Sequence, residues 1–123
     1  MNTLNADSET SVPNFSECLV ELSRLPWVDV MPFVREKRVH RGGWVIRYVE
    51  FQQGFEEEGW CEKGHMGYVT QGRLEVRFTN SAILAGEGDS VWIPAGAAYR
   101  HRAKVLTDFV HLVLFESHVP GAA

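Results

Sequence analysis

The stretch Gly59-Trp60-Cys61-Glu62-Lys63-Gly64-His65-Met66-Gly67-Tyr68-Val69-Thr70-Gln71-Gly72 decides the fold class. It packs a thiol, an imidazole, two aromatics and four glycines into a span too short for a helical core element. Directly after it, Arg73-Leu74-Glu75-Val76-Arg77-Phe78 alternates polar and apolar residues with a period of two. The pair reads as strand, tight turn at Gln71-Gly72, strand, with one face buried.

Working outward, the same pattern recurs. Residues 44–51 are rich in β-branched and aromatic side chains and form a strand, preceded by a weaker one at 33–39 and a turn at Gly42-Gly43. An acidic loop with Glu56-Glu57-Glu58 fills 52–59. Downstream, Ile83-Leu84 and residues 90–94 are short strands, separated by the turn cluster Gly86-Glu87-Gly88-Asp89. Residues 99–104 alternate Tyr99/His101/Ala103 with Arg100/Arg102/Lys104. Residues 109–115 are apolar on both faces apart from His111, the pattern of a strand covered on two sides. Roughly eight short strands with Gly/Pro turns predict an all-β sandwich or small barrel.

The chain is long enough for one domain with a real core. Residues 1–14 are polar, without periodicity, and read as a disordered tail. The domain spans 15–118, of which 15–32 form an N-terminal arm. Within it, 15–25 fits either a short helix capped by Ser16 or an edge strand, stopped by Pro26. Trp27, Val28 and Val30 are expected to anchor the arm. A net charge of −4 gives no electrostatic reason for nucleic acid or anionic membrane as a partner. Residues 1–14 lack the basic start and apolar run of a signal peptide. Cytoplasm is the expected compartment, with Cys18 and Cys61 as free thiols.

Two spaced motifs support a family comparison. Cys61, three residues, His65, six residues, Gly72 is the first, with Tyr68-Val69 inside it. Gly88, five residues, Pro94-Ala95-Gly96 is the second. On these residues the chain resembles a small single-domain cupin of the RmlC-like type, and the resemblance covers most of 44–115. It implies a jelly-roll β-sandwich, the double-stranded β-helix. In cupins, two histidines and a glutamate of the first motif and a histidine of the second ligate a metal. Here those four slots hold Gly59, Cys61, His65 and Tyr99, and the asparagine slot of the second motif holds Ala103. The ligand motifs are degenerate.

What remains is a different donor set. Along one extended strand Cys61 and His65 would stand roughly 13 Å apart, at about 3.3 Å per residue. They share an ion only if the chain reverses at Glu62-Lys63-Gly64, where Gly64 permits a positive φ. The resemblance places the two on neighbouring antiparallel strands. His101 lies two residues past the Tyr99 slot and joins them only if the site has shifted or if a bulge at Ala97-Ala98 moves the register. The expected metal ligands are therefore Cys61, His65 and His101. Gly67, Tyr99 and His111 are expected to line the ligand pocket, with Tyr99 as an acid/base or orienting group. Glu58 or Glu62 could lend a carboxylate at the mouth. A thiolate with imidazoles suits zinc, iron, nickel or copper. Two functions follow: a metallocupin acting on a small molecule, or a metal-free binding or sensing module without catalysis. The resemblance, which spans isomerases, lyases and dioxygenases, does not choose between them. A homodimer, paired through sheet edges or swapped arms, is the expected assembly.

Overall fold

The computed structural model describes residues 12–117. The predicted tail lies mostly outside them. Nine strands run in chain order: β1 (Val28–Met31), β2 (Val34–Arg41), β3 (Trp44–Gln52), β4 (His65–Gln71), β5 (Arg73–Arg77), β6 (Ala82–Gly86), β7 (Ser90–Ile93), β8 (Arg102–Val105) and β9 (Phe109–Ser117). They form a six-stranded sheet ordered β1-β2-β3-β9-β4-β7 and a three-stranded sheet ordered β6-β5-β8. Every pairing is antiparallel. No helix among the described residues is long and apolar enough to cross a membrane.

Period-two burial follows from the sequence. Val110, Leu112 and Leu114 of β9 are buried while Phe109 and Phe115 are exposed. Val45 and Val49 of β3, Val69 of β4, Leu74 and Val76 of β5, and Val91 and Ile93 of β7 complete the inner faces. β9 is thus buried fully on one side, and partly covered on the other, rather than enclosed on both.

The expected hairpin at Gln71-Gly72 does not form. β4 and β5 abut in sequence but belong to different sheets. Gly72, at φ +85°, is the point where the chain passes from one sheet to the other, with the Phe109 carbonyl where a Cβ would lie. The Arg73 N–H donates to Thr107 Oγ1 at 3.1 Å, and its carbonyl accepts from the Leu106 N–H at 3.0 Å. These bonds replace the ladder that a hairpin would supply. Alternation on both sides of a glycine is the same for a hairpin and for a crossing.

The arm is neither helix nor strand over 15–25. It makes two single 3-10 turns, Phe15–Cys18 and Leu22–Arg24, the first capped by Asn14, whose Oδ1 accepts from the Ser16 N–H at 3.2 Å. Trp27 is the anchor. Its ring stacks 5.3 Å from Tyr48, with the Arg35 guanidinium and Lys37 ammonium 4.7 and 4.8 Å from its centroid. Val28 and Val30 stay exposed in edge strand β1.

Candidate metal centre

Three segments bring Cys61, His65 and His101 together. Cys61 and His101 form an isolated antiparallel bridge, exchanging backbone hydrogen bonds of 2.9 and 3.0 Å. Mutual exchange sets the two residues directly opposite one another. His65 opens β4, four residues on, and pairs with Ile93. The link between them packs on the 93–96 segment: the Glu62 carbonyl accepts from the Gly96 N–H at 2.9 Å. At Gly64 a Cβ would stand 3.1 Å from the Ala95 nitrogen. Gly64 is therefore there for close approach and does not take the positive φ expected of it.

His101 arrives by a related device to the one expected. A 3-10 turn at Ala97–Tyr99, not a bulge, precedes it. Tyr99 leaves the inward alternation and is 48% exposed, whereas His101 is buried at 4%. Tyr99 contributes its carbonyl, which accepts from His101 Nδ1 at 2.9 Å. Its phenol does not line the cavity.

The donor atoms of Cys61, His65 and His101 lie within 4.8 Å of one another. Cys61 Sγ is 3.5 Å from His65 Nε2, and the two imidazoles meet edge to face at 5.1 Å. His65 Nδ1 lies 2.8 Å from Glu116 Oε2. A carboxylate and a backbone carbonyl only accept, so both histidines carry a proton on Nδ1 and direct Nε2 to other work. Arg47 holds Glu116 from the other side at 3.1 Å and is itself paired with Glu36 at 2.8 Å.

This surround sets the charge of the trio. Hydrogen bonds from His101 and then His65 outweigh burial and hold the Cys61 thiol down at about 5. Burial works against a charged His65, but the Cys61 sulfur and the Glu116 carboxylate overcome it and raise the imidazole to about 9. His101 is raised against the same opposition, again chiefly by Cys61. Burial would raise Glu116, yet His65 and Arg47 bring it down to about 2. The centre is a thiolate among imidazole N–H groups.

It sits in the wall of a chamber of about 210 Å³ between the two sheets. Most of the lining is hydrocarbon, including Phe55, Val69, Leu74, Ile93 and Leu112. Glu57 also lines it. Its Oε1 accepts from the Ala103 N–H at 2.8 Å, and burial pushes its carboxyl upward. Glu58 and Glu62, the carboxylates expected at the mouth, are both exposed, and Glu57 and Glu116 take the positions beside the chamber and the trio instead. For Glu116 a signal existed, since it continues the inward parity of Val110, Leu112 and Leu114. For Glu57 none did, because an irregular loop has no parity.

Two expected pocket residues lie elsewhere. The space over Gly67 is taken by Leu114, whose Cδ2 stands 2.6 Å from where a Cβ would be. His111 points from the opposite face of β9, its Nε2 2.9 Å from Glu50 and its Nδ1 3.3 Å from the Tyr48 hydroxyl, beside Trp27. The parity of β9 sends it there, away from buried Val110 and Leu112.

The fold is that of a small single-domain cupin, with degenerate metal-ligand motifs. Compared with solved structures, the chain is similar to KdgF from Halomonas sp., at 25% identity over 82% of this chain and 94% of that one, TM-score 0.66. It also resembles an RmlC-like cupin from Shewanella frigidimarina, at 17% identity over 80% and 88%, TM-score 0.66. The polyketide cyclase RemF from Streptomyces resistomycificus superposes at 13% identity over 81% and 78%, TM-score 0.69. No family model and no curated protein matches the sequence.

Proposed function

We propose that Cys61, His65 and His101 hold one divalent transition-metal ion and present it to a small ligand in the chamber. The observation that carries this reading is the tethering of both histidines at Nδ1, by Glu116 and by the Tyr99 carbonyl. Such partners orient metal-bound imidazoles and select the coordinating nitrogen. The donor set also fits in size. Ligand atoms held tetrahedrally at ~2.0–2.3 Å from zinc stand roughly 3.3–3.8 Å apart, and the Cys61–His65 contact is 3.5 Å. One thiolate and two imidazoles suit zinc, iron, nickel or copper over magnesium or calcium.

When bound, the ion supplies Lewis acidity toward a ligand oxygen. The protein's own groups do the rest. Glu116 and the Tyr99 carbonyl fix the imidazoles, the hydrocarbon walls offer an apolar surface to the ligand's body, and Glu57 offers a carboxyl inside the chamber. At about 210 Å³, below the ~300–1,000 Å³ of pockets for drug-sized molecules, the space fits a small molecule. Its body would be apolar, with one oxygen-bearing end toward the donors.

The other reading is a metal-free binding or sensing module, favoured by the contact that already joins Cys61 to His65. Metal analysis of protein purified without a polyhistidine tag decides between them. The metallocupin reading expects close to one ion per chain, lost in Cys61→Ser and in His65→Ala. Substoichiometric metal that is the same in Cys61→Ser would leave the metal-free module.

A further inference from the structure

Cys61, His65 and Glu116 stand in one line of polar contacts. Cys61 Sγ is 3.5 Å from His65 Nε2, and His65 Nδ1 is 2.8 Å from Glu116 Oε2. They come from three places in the fold: the bridge opposite His101, the start of β4 and the end of β9. Because the Nδ1–H is given to the carboxylate, Nε2 is the nitrogen that exchanges a proton with the thiol. Nucleophile, imidazole and orienting carboxylate, in that order, activate a side chain for attack on a carbonyl carbon.

We propose that in the ion-free chain these three residues hydrolyse small esters that carry a short apolar acyl group. This does not rest on the metal reading, since an ion and an acyl group compete for the same sulfur. With the thiol proton on His65 Nε2, the Cys61 sulfur bonds to the ester's carbonyl carbon. The tetrahedral adduct collapses, the C–O bond to the leaving alcohol breaks, and that oxygen departs with the proton from Nε2. His65 next takes a proton from water, and the hydroxide so formed attacks the carbon of the thioester. The C–S bond breaks, the carboxylic acid leaves, and the sulfur and the protonated imidazole are restored. Glu116 positions the ring and offsets its charge. The Lys63 N–H donates to the Cys61 sulfur, which sets a backbone donor beside the carbonyl oxygen of an acyl group held there.

The cavities select the substrate. Cys61 and His65 line the chamber of about 210 Å³ together with Val76, Ile93 and Leu112. An outer cleft of about 700 Å³, walled in part by Phe33 and Trp60, shares Met31, Phe55 and Glu57 with that chamber. A short acyl chain therefore lies against the hydrocarbon wall, and the leaving group points past Met31 into the cleft.

The test uses the full chain in a Cys18→Ala background, stripped of metal by a chelator and mixed with p-nitrophenyl acetate or butyrate. The expected result is a burst of about one p-nitrophenolate per chain followed by steady turnover, with the acyl group found on Cys61 by peptide mass spectrometry. Cys61→Ser removes both phases. Glu116→Gln lowers kcat by roughly 100-fold or more, with KM and circular dichroism unchanged. The proposal is overturned by a burst without turnover, by a burst equally fast in Glu116→Gln, or by turnover no greater than that of Cys61→Ser. Zinc that binds to a chain on which no acyl-Cys61 forms also overturns it, and leaves the metal reading in place. Turnover through acyl-Cys61 that added zinc does not slow sustains the hydrolase and counts against the metal reading instead.

Discussion

Glu116 Oε2 stands 2.8 Å from His65 Nδ1, and the same oxygen accepts from Arg47 Nη1 at 3.1 Å. A carboxylate so placed fixes the imidazole plane and leaves Nε2, which faces Cys61 Sγ, as the atom that would coordinate the proposed ion. Replacement of such an outer partner typically weakens metal affinity 10–100-fold. Glu116→Gln preserves the shape and removes the charge. Competition against a chromophoric chelator should therefore show weakening of about 10–100-fold in a protein that still folds. Unchanged affinity would remove Glu116 from the centre.

Cys61 should react as a thiolate well below the pH at which ordinary thiols do. Its value of about 5 leaves it ionised at mildly acidic pH, and the thiolate is the nucleophile. In a Cys18→Ala background, iodoacetamide at mildly acidic pH should alkylate Cys61, detected by peptide mass spectrometry. Added zinc should slow the reaction. Alkylation that begins only in the range of a free thiol would contradict the hydrogen-bonded thiolate.

Away from the centre, Glu50 gives the fold an acid limit. Arg35 binds it through two contacts of 2.6 and 3.1 Å and His111 through one of 2.9 Å, and these, led by Arg35, hold it at about 2 against an ordinary 4.5. A depressed carboxylate stabilises fully above its unfolded value and loses that contribution as pH falls through its folded one. The window is thus from about pH 4.5 down to about pH 2. Solvent screening of the part-exposed Arg35–Glu50 pair keeps the loss to on the order of 1–2 kcal/mol. Glu36 and Glu116 shift in the same direction, so the informative quantity is a difference. Chemical denaturation across this window should fall less steeply for Glu50→Gln than for the wild type.

Gly72→Ala should be among the most damaging substitutions in the chain. The residue sits at φ +85° with the Phe109 carbonyl where a Cβ would go and Val110 Cα 3.0 Å away. Left-handed strain and backbone overlap together should cost on the order of 3 kcal/mol or more, read as a lower urea midpoint. Gly88→Ala, also at positive φ but with nothing within 4 Å of its Cβ position, should cost less. Equal losses at both positions would mean that conformation alone, and not the sheet crossing, matters at Gly72.

The sequence by itself determined the alternating strands, the two motif spacings and hence the cupin jelly roll, because side-chain parity and glycine placement are local properties. It also marked the thiol and the two imidazoles that converge. Tertiary structure decided the rest. It assigned β4 and β5 to different sheets, turned His111 outward beside Trp27, and moved Tyr99 off the inner face through a 3-10 turn. It brought Glu116, 51 residues from His65 along the chain, and Glu57 from a loop into the same chamber. Which segment lies opposite which is fixed by long-range pairing and shared burial, and no local pattern encodes that.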